Sequence, residues 1–64
     1  MYINKIKKLR EEKGMTIDKL ASLAGISGGY LCHLEKGTRK NPSIEVMDNI
    51  AAALDKTIME VFFE

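Results

Sequence analysis

The chain has 64 residues, of which 45% are hydrophobic and 30% are charged, a balance typical of one small globular domain over residues 1–64. Its single cysteine excludes an internal disulfide, and one cysteine with one histidine is too small a set for a four-ligand zinc site. No apolar run approaches the ~18 residues of a membrane span. We therefore expect a cytoplasmic protein with no membrane partner, no cofactor and no small-molecule ligand.

The formal net charge of +1 hides an uneven distribution along the chain. Residues 1–40 hold nine lysines and arginines against four acids, whereas residues 41–64 hold one lysine against five acids. A polyanion would be attracted to the first part and repelled by the second. Ordinary solvated helices explain the same pattern equally well, so charge alone leaves both interpretations open.

Apolar residues recur at helical spacing along the chain, and no segment alternates as a half-buried strand does. Ile3, Ile6 and Leu9 predict a first helix over roughly residues 2–12 that stops at Gly14. Four more helical patterns follow. The sequence therefore predicts an all-α domain of five short helices.

Two helices with capped starts are predicted next, over about residues 16–24 and 27–35. Thr16 suits the N-cap of the former and Ser27 that of the latter, because their hydroxyls can accept from free backbone amides. Gly25 interrupts the pattern between them. Their apolar faces are formed by Ile17, Leu20, Ala21 and Ala24 in the former and by Tyr30, Leu31 and Leu34 in the latter.

The rest of the chain predicts a basic loop and two more helices. Residues 36–42 read KGTRKNP and contain the only proline, which is typical of a loop. Ser43 is placed to cap a fourth helix, and Thr57 with Glu60 has the capping-box spacing that starts a fifth. The apolar stripes are Ile44, Met47, Ile50, Ala51 and Leu54 in the fourth helix and Ile58, Val61 and Phe62 in the fifth.

The strongest signal is the spacing within residues 17–34. Two helices of about eight residues, joined by a short turn with a glycine, are typical of the helix-turn-helix, in which the helices cross steeply. Ala21 is the small residue that such a crossing needs, and Gly25 tolerates positive φ in the turn. The other expected contacts between the helices come from Leu20, Ala24, Ile26, Leu31 and Leu34.

The region after residue 15 reads TIDKLASLAGISGGYLCHLEKGTRKNPSIEVMDNIAAALDKTIMEVF, and LA-x-x-AGIS, HLEKG, NPS and TIMEVF are its most specific parts. Over about residues 5–62 the chain resembles the Cro/C1-type, or XRE-like, domain of phage repressors, Cro proteins and restriction–modification controller proteins. The resemblance implies a five-helix lambda-repressor-like fold. It also implies a transcriptional regulator, typically a repressor, that binds double-stranded DNA as a homodimer on a palindromic operator with helix 27–35 in the major groove.

By this resemblance the base-facing positions of helix 27–35 are Ser27, Gly28, Gly29 and His33. The sequence departs from the family pattern at Gly28 and Gly29, which lack a side chain for a base contact worth ~1–3 kcal/mol. Either bare backbone approaches the DNA closely, or the helix start orders on binding, or the protein discriminates weakly. His33 is interpreted as a hydrogen-bond donor to guanine N7 or O6. Alternatively, His33 is a solvent-exposed helix residue that contacts no base.

Phosphate contacts are expected beside the base-facing positions, mainly on the basic loop, where they would position the protein without reading sequence. Thr16 lies at a helix N-terminus, which favours anions. Tyr30 either reaches a phosphate or packs on the second helix, and the loop either binds DNA or is only solvated. The expected set is Thr16, Tyr30, Lys36, Thr38, Arg39, Lys40 and Asn41.

Other polar side chains indicate structure rather than chemistry. Arg10 and Glu35 match residues that form a partly buried salt bridge in the resembling repressors, so the resemblance implies a structural role. Cys32 and His33 are sequence neighbours, which point about 100° apart on a helix and cannot easily act as a nucleophile–base pair. The chain is therefore not expected to be an enzyme.

Apolar bulk near the end of the chain predicts a partner surface formed by Met59, Phe62 and Phe63. A two-fold contact through the fourth and fifth helices would bury it. Alternatively, the phenylalanines fold back onto Ile6 and Leu54. The alternative function is a protein-interaction module of the same fold that binds another regulator or a polymerase subunit, an interpretation kept open by the two glycines.

Overall fold

The computed structural model of the protein describes residues 3–38 and 42–63. α2 packs against α3 and α4, and α5 packs against α4 and α1. None of the helices in these two ranges is long and apolar enough to cross a membrane. The five-helix, all-α fold predicted from the sequence is confirmed. The helices are α1 (Ile6–Glu12), α2 (Ile17–Ala24), α3 (Gly28–Lys36), α4 (Ile44–Ala53) and α5 (Ile58–Phe62).

Four helices begin at the hydroxyl residues that the sequence predicts as caps. The side chains of Thr16, Ser27, Ser43 and Thr57 each accept a hydrogen bond from the amide three residues further on, at 3.0–3.2 Å. Glu60 returns the contact in α5, because its Oε1 accepts from the Thr57 amide at 2.9 Å. Each cap satisfies an amide that the helix itself leaves without a partner, so the starts of α2 to α5 are locally encoded.

The start of α1 differs from the prediction of a helix from residue 2. The helix begins at Ile6, because the chain before it pairs with the end of α5 instead. The Ile3 amide donates to the Phe62 carbonyl at 2.6 Å, and the Lys5 amide donates to the Val61 carbonyl at 2.9 Å. These two bonds join the beginning and end of the domain.

The core draws on every helix, and most of the predicted apolar stripes face it. The prediction that Ile44 faces the core is wrong, since this residue is 69% exposed. Met47 is the first buried residue of α4, so the covered part of that helix begins one turn later. The fully or nearly fully buried apolar residues are Ile6, Leu20, Ala21, Ala24, Leu31, Leu34, Met47, Ile50, Ala51, Leu54, Val61 and Phe62.

The two phenylalanines of the predicted partner surface lie on or in this core. Phe62 has no exposed surface, so its assignment to a dimer interface is wrong, and the alternative that it folds inward is confirmed. Phe63 is half-buried and packs against the core, whereas Met59 is 62% exposed. Phe62 therefore holds α5 in place from within, and Met59 is the large apolar side chain that α5 presents outward.

Candidate nucleic-acid interface

The turn between α2 and α3 is fixed by one glycine and two small residues. Gly25 adopts φ +72°, which ends α2 in a left-handed cap. The Ile26 amide then donates to the Ala21 carbonyl at 3.0 Å. Ala21 and Ala24 are buried in the core. This local chemistry sets the orientation of α3 against α2, as the sequence predicts for a helix-turn-helix.

α3 buries one side and exposes the other. Leu31 and Leu34 are in the core, while Ser27, Gly29 and His33 are exposed. Three of the four positions expected to face bases are thus accessible along one helix. α3 therefore has a free surface that a groove of DNA can receive.

The fourth position, Gly28, lies against the first turn of α2. A Cβ at this position would stand 2.7 Å from Asp18 Oδ1, whereas one at Gly29 would meet nothing within 4 Å. The carboxylate of Asp18 therefore occupies the space into which a side chain at position 28 would extend. A carboxylate beside the first turn of α3 is favoured by the positive end of that helix. Sequence reasoning did not connect Asp18 with Gly28.

His33 is held at the other end of α3 by Thr38. Thr38 Oγ1 lies 2.9 Å from His33 Nδ1 and 3.2 Å from the His33 carbonyl oxygen. Gly37, with φ +79°, turns the chain so that Thr38 comes back over the helix end. The sequence-based prediction assigns Thr38 to phosphate and does not foresee its contact with the His33 ring.

An open cleft of about 330 Å³ lies beside the exposed side of α3, between α1 and the start of α2. Three of its lining residues are cationic and one is acidic, so the lining has a positive balance that suits a phosphate. Cys32 contributes a half-buried free thiol to the wall. The lining residues are Lys7, Arg10, Ile17, Cys32, Glu35 and Lys36.

One wall of the cleft is a buried ion pair. Arg10 and Glu35 have side chains that are 10% and 5% exposed, and Arg10 Nε donates to Glu35 Oε2 at 2.7 Å. The hydrogen bond to Glu35 is the largest of the effects that raise the pKa of the Arg10 guanidinium above its usual value. The salt bridge implied by the resemblance is therefore present, and its place is between α1 and α3.

The remaining residues of the expected phosphate set fall into three groups. Thr16 uses its hydroxyl to cap α2, where it accepts from the Lys19 amide at 3.0 Å. Tyr30 is half-buried and packs against the core, and Lys36 is exposed at the end of α3. Arg39, Lys40 and Asn41 lie outside the described residues.

Comparison with known proteins identifies the class. A helix-turn-helix family model matches residues 6–61. The chain therefore belongs to the helix-turn-helix family of the Cro/C1 type, as its sequence resemblance indicates.

Two regulators of Bacillus subtilis strain 168 are similar to the chain. The HTH-type transcriptional regulator SinR is 37% identical over 58 residues, which are 91% of this chain and 52% of SinR. The HTH-type transcriptional regulator SlrR is 35% identical over 57 residues, which are 89% of this chain and 38% of SlrR. The chain thus spans about half the length of SinR and less of SlrR.

Solved structures agree with the fold. SinR in complex with DNA superposes with a TM-score of 0.81 at 37% identity, over 84% of this chain and 86% of that one. The restriction–modification controller protein C.AhdI of Aeromonas hydrophila gives 0.83 at 34% identity, over 88% and 83%. SinR and SlrR are named as transcriptional regulators, and C.AhdI is named as a controller protein.

Proposed function

We propose that the chain is a sequence-specific DNA-binding transcriptional regulator that acts as a repressor. In this proposal α3 enters the major groove with its N-terminus first. The observation that carries this proposal is the two-sided α3, which buries Leu31 and Leu34 and exposes Ser27, Gly29 and His33. The similar domain of SinR has been solved in complex with DNA, which supports the same role here.

The sites follow from this placement. Base contacts come from the start and outer face of α3, with Gly28 and Gly29 approaching through their backbone. One phosphate lies at the cleft beside α3, which Lys36 and Lys7 both line. The proposed base contacts are Ser27, Gly28, Gly29 and His33, and the proposed phosphate contacts are Thr16, Tyr30, Lys36, Thr38, Arg39, Lys40 and Asn41.

The proposed assembly is a homodimer on an inverted repeat. Met59 on α5 and Ile44 at the start of α4 are 62% and 69% exposed, and a two-fold contact through these helices would remove both from water. Phe63 lies at the edge of the proposed contact. Such a dimer would present two α3 helices one DNA turn apart, ~34 Å. Because DNA is the target, we place the protein in the cytoplasm, nucleoid-associated when bound.

The proposal is tested by selecting bound duplexes from a random library at two salt concentrations, with molar mass measured by light scattering on the same sample. We expect an enriched inverted repeat bound by a dimer. If about eight phosphates are contacted, log K falls with log salt at a slope near −7. Absence of binding at low salt would contradict the proposal.

A second candidate is a protein-interaction module of the same fold. The observation that favours it is the exposure of three large apolar side chains, each at least half exposed to solvent. They are Leu23, Ile44 and Met59. SinR has also been solved in complex with the SinI protein, so a related chain assembles with a protein partner. An apolar protein interface would show almost no salt dependence, which separates the two functions.

A further inference from the structure

We infer that Asp18, a residue of α2, contacts a cytosine in the major groove through the gap that Gly28 leaves at the start of α3. The inference deepens the proposed function and rests on it, since α3 must enter the groove for Asp18 to reach a base. It adds a residue outside α3 that determines sequence preference. It also names the base whose edge matches a carboxylate.

The first step is the location of the Asp18 carboxylate. Position 28 is one of the four positions proposed to face bases, and a Cβ there would stand 2.7 Å from Asp18 Oδ1. Gly28 is half-buried although its neighbours Ser27 and Gly29 are exposed. The atoms nearest to its missing side chain belong to Asp18 and Ile17 of α2. The exposed Asp18 therefore places a carboxylate oxygen where a base-facing side chain of position 28 would begin.

The second step is the stability of a negative charge on a surface that meets DNA. Asp18 belongs to the first turn of α2, and its carboxylate lies beside the first turn of α3. The positive ends of both helices favour a carboxylate at this place before DNA arrives. Repulsion from the phosphates weakens binding to every sequence alike. A base that donates a hydrogen bond to the carboxylate offsets this cost, and other bases do not, so the charge acts on preference.

The third step is the identity of the base. A carboxylate only accepts hydrogen bonds, so it needs a base edge that donates. In the major groove guanine presents two acceptors, and thymine presents an acceptor and a methyl group. Adenine donates from N6 but has the acceptor N7 beside it, whereas cytosine presents the N4 amino group alone. Cytosine is therefore the match, since at the other bases the carboxylate loses water without gaining an equal partner.

The test selects bound duplexes from a random library with the wild type, Asp18→Ala and Asp18→Asn. We expect Asp18→Ala to lower the preference for cytosine at one position of each half-site by about fivefold, the low end of a base contact. Asp18→Asn should shift that preference toward adenine, because an amide donates to N7 and accepts from N6. Asp48→Asn, the same exchange at an exposed residue of α4, is the control and should leave the base preference unchanged. Asp18→Asn binding that strengthens for all sequences alike would show repulsion only and overturn the inference.

Gly28→Ala tests the gap itself. Its methyl displaces the carboxylate, so the cytosine preference should fall as it does in Asp18→Ala, and the double variant should lose no more of it. Circular dichroism on each variant checks that the helices are retained. A wild type without a cytosine position, or a cytosine preference that survives in Asp18→Ala or Gly28→Ala, overturns this inference alone. Failure of the wild type to bind any DNA overturns the proposed function itself.

Discussion

Arg10 on α1 and Glu35 on α3 are joined by two side-by-side hydrogen bonds, from Nε to Oε2 at 2.7 Å and from Nη2 to Oε1 at 3.2 Å. The third nitrogen of the guanidinium, Nη1, donates to the Met15 carbonyl at 2.7 Å. One arginine therefore fixes the end of α1, the turn before α2 and the last turns of α3. The orientation of α3, the helix proposed to enter the major groove, therefore depends on Arg10.

The first prediction concerns the stability of this pair. Arg10→Met leaves the Glu35 carboxylate buried without its partner, so we expect a loss of about 3–5 kcal/mol in the free energy of unfolding, measured by urea denaturation. The double variant Arg10→Met/Glu35→Leu should regain most of the lost free energy of unfolding, because neither charge of the pair then remains buried. Lys13→Met, at an exposed position nearby, is the control and should change stability by less than about 0.5 kcal/mol. An unchanged free energy of unfolding in Arg10→Met would contradict the structural role of the pair.

The second prediction uses the two glycines at the start of α3. Gly29→Ala adds a methyl where nothing lies within 4 Å, so we expect a gain of up to about 1 kcal/mol from helix propensity. Gly28→Ala should gain less, because its methyl meets Asp18 Oδ1 at 2.7 Å and the carboxylate must rotate away. Thermal unfolding of the matched pair measures the difference. Equal gains would show that Asp18 does not occupy this space in solution.

The third prediction separates phosphate contacts from base contacts. Lys36→Ala should weaken binding to all DNA sequences alike and reduce the salt slope by about 1 per subunit, because one counterion fewer is released. Lys56→Ala removes the one lysine of the acidic part of the chain and should leave the slope unchanged. Titrations at several salt concentrations measure both. An equal effect of the two variants would contradict the placement of DNA along α3.

Local chemistry made much of this fold predictable from the sequence. Each hydroxyl cap satisfies amides within its own first turn, so the starts of α2 to α5 are readable from a few neighbouring residues. The start of α1 was not predicted correctly, because it depends on bonds between Ile3, Lys5 and the distant α5. Asn4 shows the same limit, since Oδ1 accepts from the nearby Ile6 amide at 3.0 Å while Nδ2 donates to the Leu34 carbonyl, 30 residues away.

The candidate site was predictable to a similar degree. Spacing and resemblance indicate which residues of α3 face outward, and the structure shows Ser27, Gly29 and His33 exposed. The contact of Asp18 with Gly28 depends on how α2 and α3 pack together, whereas the contact of Thr38 with His33 is local, since Gly37 turns the chain back at the end of α3. Asp18 in the first turn of α2 was the available signal for its contact, and an aspartate at a helix start does not reveal a distant partner.

The fourth prediction distinguishes the surface of α5 from its buried side. Met59→Glu should weaken the dimer, because the new charges would face each other across the two-fold contact, and should leave the monomer folded. Phe62→Ala should destabilise the monomer by about 3–5 kcal/mol, since it opens a cavity in the core. Light scattering with circular dichroism separates the two effects. Leu23→Glu, at an exposed apolar residue of α2, is the control; an equal loss of dimer in both glutamate variants would contradict the proposed interface.

The fifth prediction concerns the pH dependence of α5. The hydrogen bond from the Thr57 amide, followed by the side-chain hydrogen bond with Thr57, lowers the pKa of Glu60 below its ordinary value. Because the folded-state pKa is the lower one, the ionised glutamate stabilises the fold above the unfolded-state pKa of about 4.3, and this contribution disappears as the pH falls through the folded-state value.

Glu60→Gln keeps the size of the side chain and removes its titration. We expect the wild type to have the higher Tm at neutral pH, and the difference to disappear as the pH falls through the lowered folded-state pKa, where Glu60 becomes protonated. Glu45→Gln in the first turn of α4 is the matched control, because no hydrogen bond to its cap accompanies it in the part of the chain that the structure describes. A Tm difference for Glu60→Gln that stays constant through the acid range would show that the capping box acts through hydrogen-bond geometry and not through the charge of Glu60.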